Sequence, residues 1–361
     1  RIRSGTMSTK EIAINHIPSP TWRWLKMNHG KITTFDVANA THDYDEKVPA
    51  AIEKTTADKA VFNNITASLG ADFDEMFNES ITETTKFTAK AGVKETSPVV
   101  LRFNYAENAV NANKFAVEAE DDAEITVLID FAAEEAENST AMAKTLVKAG
   151  KNAKVSIIQV VRLGENNTLY NDIGVETDDK AEIKGTNLFI GGNVYQGCRV
   201  TLSGKESKVE KSIGYFLDGN DKLDMNYVVD HIAPRTECDI DAQGVLEGTS
   251  EKVFRGTIDF KNGCAGAVGG EIESVLMRSD DVVCQSIPVI LCSEEDVAGN
   301  HGASIGKLDE DLLFYMSSRG LKEEDIYDII SGARFRGLCR QIPDDDVKRD
   351  ARKFFNGGIE I

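Results

Sequence analysis

The chain has 361 residues and a net charge of −19, from 41 Lys and Arg against 60 Asp and Glu. That balance argues against nucleic acid and anionic membrane surfaces as partners, since both require clustered Lys and Arg. At 41% hydrophobic and 28% charged residues, with no apolar run of the ~18–20 residues a membrane helix needs, the composition reads as soluble and globular, with room for a large core.

Arg1 to Lys10 is polar and has no apolar stretch of the signal-peptide kind; Met7 is a candidate natural start. The six cysteines (198, 238, 264, 284, 292 and 339) include no CxxC pair. A chain of this length needs no disulfide staples, so reduced thiols and a cytoplasmic location are expected. Residues 1–97 form a first, mixed region. Within it Pro18, Pro20, Trp22, Trp24 and Leu25 make an aromatic anchor, with both tryptophans expected to pack an N-terminal arm onto the main body. Residues 50–67 and 72–90 have partial helical spacing, although Thr-rich ITETTKFTAK fits a strand as well.

From about Val99 a phrase recurs: a small residue, a charge and a β-branched residue, then an alternating apolar run. It reads Ala123-Glu-Ile125, Ala153-Lys-Val155, Ala181-Glu-Ile183, Ser207-Lys-Val209 and Cys238-Asp-Ile240, at spacings of 30, 28, 26 and 31 residues. Recurrence at that period, with Gly/Asn turns, predicts the stacked coils of a β-solenoid over residues 98–305. Thr140–Ala149 reads as a short helix interrupting one coil, and a jelly roll is the competing architecture.

Residues 306–361 form a helical C-terminal region. Asp309 caps a first helix with Glu310 and Asp311 in its first turn, Gly320 ends it, and Glu323, Glu324 and Asp325 open the next. Leu312, Leu313, Tyr315 and Met316 face Ile326, Ile329 and Ile330 across this hairpin. The basic group Arg334, Arg336 and Arg340 is by default a solvated face, or a docking surface in a complex.

There is no GxxxxGK[ST], HExxH or GxSxG, and the Gly-rich pieces at Gly191-Gly192 and Gly266 to Gly270 lack dinucleotide-binding spacing. The chain is therefore not expected to bind or hydrolyse a nucleotide itself. Metal-ligand types are more informative. Cys264 and Cys284 are 20 residues apart, and Glu273 and Cys292 are 19 apart, separations that stacked coils can bring together. Thiolates suit iron–sulfur clusters, and imidazole or carboxylate can complete a mixed set. Against this, cysteine is also a small apolar filler for a narrow core. His301 lies in a polar turn where a core role is hard to support. His231 is read as structural, held by Asp230 in a turn with Pro234.

The run from His301 to Gly320, HGASIGKLDEDLLFYMSSRG, closely resembles the C-terminal signature of the SufB/SufD family, the non-ATPase subunits of the SUF iron–sulfur cluster assembly machine. The likeness continues upstream through Asp230-His231 with Pro234 and Thr236, Gly244-Val-Leu246, Phe254-Arg-Gly-Thr-Ile258, Leu276-Met277, Pro288 and Asp296-Val297. It is strong over about 225–332 and diffuse before that. The resemblance implies a right-handed parallel β-helix flanked by an N-terminal mixed region and C-terminal helices. It further implies pairing with a second SufB/SufD-like subunit, as homodimer or heterodimer, and docking of a SufC-type ABC ATPase through the C-terminal helices. Glu273 falls where SufB carries its cluster cysteine, and Asn300-His301-Gly302 replaces the Glu-His-Glu of SufB.

The expected function is thus a scaffold for cluster assembly that is not itself an enzyme. A transient iron–sulfur cluster is expected on His301, Glu273, Cys264, Cys284 and Cys292, with His301, Glu273 and Cys284 as metal ligands. The ATPase is expected to contact Leu312, Tyr315, Arg319, Ile326 and Arg336. A non-cluster-binding partner of a SufB-like scaffold is the alternative, and a carbohydrate-active β-helix enzyme a remote one.

Overall fold

The computed structural model describes residues 9–20, 24, 26–133 and 136–356. Met7, Trp22 and Leu25 lie outside the described residues, and Trp24 is 76% exposed. Before the solenoid come β1 (Glu11–Ile14), β2 (Gly30–Thr33), β3 (Tyr44–Lys47), β4 (Ile52–Asp58), α1 (Ala71–Ser80), β5 (Glu83–Ala89) and β6 (Val99–Phe103). There follow β7 (Val110–Ala119), β8 (Glu124–Ala133), β9 (Thr140–Ala149), β10 (Lys154–Leu163), β11 (Thr168–Thr177), β12 (Glu182–Ile190) and β13 (Asn193–Leu202). The remaining strands are β14 (Lys208–Leu217), β15 (Lys222–His231), β16 (Glu237–Leu246), β17 (Glu251–Phe260), β18 (Ala267–Met277), β19 (Val283–Cys292) and β20 (Val297–Gly306). Three helices close the chain: α2 (Glu310–Ser317), α3 (Glu323–Cys339) and α4 (Asp345–Phe355).

Even-numbered strands from β6 to β20, with β3 at one end, form one nine-stranded sheet, here sheet I; β4 and the odd-numbered strands from β5 to β19 form a second, sheet II. Each coil gives one strand to each sheet, and successive coils pair in parallel, which is the β-solenoid the recurrence predicts. The parallel pairing begins before residue 98, with β5 on β7. Antiparallel β3 and β4 cover the first coil.

The recurring phrase marks one corner of each coil. Ile125, Val155, Ile183, Val209 and Cys238 are register partners in consecutive coils of sheet I. The residues before the charge, Ala123, Ala153, Ala181, Ser207 and Thr236, are all fully buried in the corner. The fifth repeat is therefore Thr236-Glu-Cys238, not Cys238-Asp-Ile240: Cys238 occupies the β-branched position, and the last spacing shortens accordingly. Immediately before each phrase the backbone turns left-handed, at Asp122, Asn152, Lys180, Glu206 and Arg235, with φ between 55° and 60°. Such a conformation is unfavourable for side chains like Lys, Glu and Arg. The next coil holds it in place: the Lys180 N–H donates to Lys205 O at 2.8 Å, and the Arg235 N–H to Ala265 O at 3.0 Å.

The charged position of the phrase alternates in sign. Lys94, Glu124, Lys154, Glu182, Lys208 and Glu237 form one column up sheet I, with ion pairs of 3.6, 3.2 and 2.8 Å at Lys94–Glu124, Lys154–Glu182 and Lys208–Glu237. Exposed pairs of this kind add little stability each. Their alternation gives every charge an opposite neighbour on the next rung, where a column of one sign would repel itself.

The main core lies between the sheets. Both outer faces are also covered over much of their length. Two elements, β1 and α1, pack on sheet II through Phe73, Phe77, Met142 and Tyr170. Opposite them, α3 and α4 pack on sheet I through Phe216, Val245, Phe335 and Leu338. Strands covered on both faces lose their inside–outside alternation. This explains why Thr140–Ala149 reads as a helix: it is the strand β9, buried at eight of ten positions. Of the two partly helical segments upstream, only Ala71–Ser80 is a helix; Ile52–Asp58 and Glu83–Ala89 pair as strands.

Arg255, 2% exposed, ties the N-terminal arm to the solenoid, donating to Met27 O at 2.8 Å and to Asp224 Oδ1 at 2.6 Å. Asn15 reaches the same carboxylate at 2.6 Å. One tight corner gives a direct test of the stacking. A Cβ on Gly204 would lie 1.9 Å from the Asp178 carbonyl carbon, whereas one on Gly302 meets nothing within 4 Å. Gly204→Ala should lower stability by about 1–3 kcal/mol and Gly302→Ala by less than about 0.5 kcal/mol, measured as the shift of the urea midpoint.

Candidate functional site

The solenoid ends at β18, β19 and β20, with no further coil upon them among the described residues. β20 is exposed at eight of its ten residues. Val268, Ile272, Val283 and Ile305 are exposed apolar side chains at this end. Inward positions on the last rungs follow from register. Lys252 is opposite Cys284, and Phe260 is opposite Cys292. Glu271 is opposite His301, and Glu273 is opposite Ala303.

Just below the open end lies a buried polar network centred on Glu273, which is 1% exposed. Its Oε1 accepts from Tyr215 Oη at 2.7 Å and from Lys252 Nζ at 2.6 Å, while Ser286 Oγ donates to Oε2. Lys252 also donates to Ser286 Oγ at 2.9 Å and Gln285 O at 3.2 Å, and its ammonium lies 5.7 Å from the Tyr215 ring centre. A buried ion pair survives only when its remaining donors and acceptors are met, and here they are. Glycine makes the room: a Cβ on Gly244 would fall 1.8 Å from the Tyr215 ring, and one on Gly256 1.9 Å from Glu271 Oε2.

Electrostatics follow from burial. Desolvation, reinforced by the neighbouring Glu273 charge, pushes the Glu271 carboxyl up to about 8. The Cys284 thiol is raised by burial and by Glu273, against the pull of Lys252. The Tyr215 hydroxyl is raised by burial first and by Glu273 second.

The expected ligand set is divided by this geometry. Glu273 and Cys284 sit together around Lys252. Cys264 is buried in the turn after β17, and its thiol is raised by burial, then by Glu294 and more weakly by Cys292. Cys292 is exposed and donates to Glu294 O at 3.0 Å. It stands eight residues along β19 from Cys284, roughly 26 Å of extended strand. His301 is exposed on the edge strand, beside Glu271 rather than Glu273. Among the described residues, no three His, Cys, Asp or Glu side chains are grouped to hold a metal ion. All six cysteines are free thiols. Lys252, Tyr215 and Ser286 escaped the sequence reading. A signal for Lys252 existed, because it occupies the inward phase that holds Leu223 one coil earlier.

His231 is fully buried, but Asp230 does not hold it. Its Nδ1 meets Thr236 Oγ1 at 2.7 Å and its ring stacks on Phe260 at 4.7 Å, while Asp230 takes Arg199 at 2.6 and 3.0 Å.

At the C-terminal end, Asp309 caps α2 by accepting from Asp311 N and Leu312 N at 3.0 and 3.1 Å. Leu312, Phe314 and Tyr315 are exposed there, and Arg319 lies over the Tyr315 ring at 4.9 Å. One of the expected partner contacts is placed differently: Ile326 is fully buried, so it supports the hairpin from within. Arg336 is exposed, at the rim of a cavity between α3 and sheet I. Arg334 is not part of a solvated face, since it donates to Gly244 O and Ser274 O, both at 2.9 Å.

Among the described residues no helix is long and apolar enough to cross a membrane. The family model for the SUF system FeS cluster assembly, SufBD core domain, matches residues 102–333, more than half of the chain. The iron–sulfur cluster assembly protein SufD of Bacillus subtilis (strain 168) is 24% identical over 247 residues, covering 59% of this chain and 56% of its own. A SufBD family protein of Mycobacterium tuberculosis (strain H37Rv) is 24% identical over 211 residues, 56% of this chain and 24% of its own. One from Mycobacterium leprae (strain TN) is 26% identical over 153 residues, 40% of this chain and 39% of its own. The chain thus spans about half the length of the first of these relatives and about a quarter of the second.

Burial lowers the His231 pKa to about 4. In the window from about 6.5 down to 4 the unfolded chain binds a proton that the folded one refuses, so stability falls as pH falls. His231→Gln should remove up to roughly 3 kcal/mol of that decline, read as a narrowing gap between wild-type and variant urea midpoints from pH 7 to pH 4.

Proposed function

Because the chain belongs to the SufBD core family of SUF iron–sulfur cluster assembly proteins, we propose that it works as a scaffold subunit with a SufC-like ABC ATPase. In this reading the subunit pairs with a second SufB/SufD-like chain through its open final coil and carries the ATPase on its C-terminal hairpin. The observation that carries the proposal is the uncovered end of the solenoid. Both β19 and β20 present an unpaired row of backbone groups there, next to exposed Val268 and Ile272. A long free edge of this kind is normally covered, and pairing about a two-fold axis covers it.

The transient cluster is cargo at that paired edge. His301 and Cys284, with Cys292 and Cys264 further along the same end, are its proposed ligands. Glu273 is a ligand only if Lys252 releases it, so its first role is to hold the rung beneath. That ion pair also favours a second reading, in which this chain is the non-cluster-binding partner of a SufB-like scaffold. Anaerobic reconstitution with iron and sulfide separates them. The scaffold reading expects cluster absorbance that drops at least about fivefold in His301→Ala or Cys284→Ser, and lighter particles by light scattering in Ile272→Lys. If neither substitution changes the absorbance of a reconstituted wild type, these ligands are wrong. A wild type that takes up no cluster, even with the ATPase and ATP, leaves the partner reading.

The ATPase is proposed to dock on the exposed face of α2. Changing Phe314 and Tyr315 together to Asp should lower its co-purification by tenfold or more without moving the melting temperature. Retained stoichiometric binding would refute the docking site.

A further inference from the structure

One acid inside the solenoid is buried without a partner. Glu271 is 4% exposed, and its carboxyl has no hydrogen bond or ion pair among the described residues. Burying such a group uncompensated is strongly unfavourable. Its neighbour Glu273 is the opposite case, with both oxygens taken by Tyr215, Lys252 and Ser286. Packing does not call for an acid at this position, since Ile240 fills it one coil earlier. Gly256 makes room for it: a Cβ there would fall 1.9 Å from Glu271 Oε2, so the facing strand gives up a side chain to admit the carboxyl.

The rung above Glu271 is the last one. His301 is its register partner on β20. Both fall on the inward face of sheet I, because Gly269, Glu271, Glu273 and Val275 alternate with exposed Val268 and Ile272 along β18. Partners on neighbouring strands of a parallel ladder project side by side, about 4.8 Å apart. Two metal–ligand bonds of about 2 Å each bridge such a gap once a side-chain torsion turns the donors together. His301 is exposed, so an ion reaches the pair directly from the open end. Cys284 stands on the other sheet, in register with Lys252.

We propose that Glu271 and His301 together hold a single ferrous ion at the open end, with water in the remaining positions. Carboxylate and imidazole suit divalent iron, whereas thiolates suit an iron–sulfur cluster. Two protein ligands make a labile site, as a cargo that has to move on requires. Glu271, not Glu273, is then the carboxylate of the site. The identity of the metal rests on the assembly reading above; the pairing of the two side chains rests on the register and on the unpartnered acid.

The test uses the full chain under anaerobic conditions, titrated with Fe²⁺ by calorimetry and with Co²⁺ as a coloured probe. One ion per chain is expected, with Co²⁺ bands of nitrogen and oxygen ligation and no thiolate charge-transfer band. Affinity should fall about tenfold or more in Glu271→Gln and in His301→Ala. It should stay unchanged in Asp239→Asn, which removes an exposed acid from the outer face of β16. Glu271→Met separates binding from packing: it should abolish the site while holding or raising the melting temperature, because it removes an uncompensated buried acid. Wild-type binding in Glu271→Gln, a thiolate band in the Co²⁺ complex, or no saturable binding would each overturn the inference. Cluster uptake by a chain whose Glu271→Gln form binds Fe²⁺ normally removes this inference and leaves the scaffold reading. A Glu271-dependent Fe²⁺ site in a chain that never builds a cluster does the reverse.

Discussion

Everything in this molecule depends on coil-to-coil backbone register. Each strand of the solenoid is satisfied by the rungs on either side, and each corner is held left-handed by an N–H that bonds the next coil. Side chains stack in columns as a consequence, so a residue's surroundings are set by positions about 26 to 31 residues away. The same rule makes the ends exceptional. Antiparallel β3 and β4 cover the first coil, and among the described residues no strand covers the last.

The open end and the polar interior are connected by that geometry. In the first coils the inward positions hold Val, Ile, Phe and Ala, as expected of a narrow core, and midway a buried ladder of Gln159, Asn171, Asn187 and Gln196 crosses it. Toward the end they change to Tyr215, Lys252, Glu271, Glu273 and Cys284. Long polar side chains need length to reach one another, and the small residues Gly244 and Gly256 provide it. The resulting ion pair is stable only because Tyr215 and Ser286 complete it.

The helical C-terminus shows how one element serves two surfaces. In α3, Ile326, Phe335 and Leu338 turn inward. Arg334 fastens the helix to the ends of β16 and β18 through two carbonyls. This fixes α2 in front of it with Leu312, Phe314 and Tyr315 facing out. The stripe at Asp328, Gly332 and Arg336 faces the cavity instead. Of the arginines 334, 336 and 340, only Arg334 leaves the exposed face, because residues two apart on a helix point in different directions whereas 336 and 340, four apart, stay together in solvent.

The sequence by itself determined the period, the corner residues, the helical hairpin with its Asp309 cap, and the family, because each rests on neighbours along the chain or on a long mixed motif. It was misleading wherever a third layer intervened. Thr140–Ala149 lost its strand alternation because a helical layer covers the outer face of sheet II, and Cys238 was set two residues out in the repeat because apolar and small residues look alike without a register. The pairing of Lys252 with Glu273, and of His301 with Glu271 rather than Glu273, was decided only by tertiary structure. Those contacts join residues on different rungs, and a one-residue change in register turns every side chain to the opposite face.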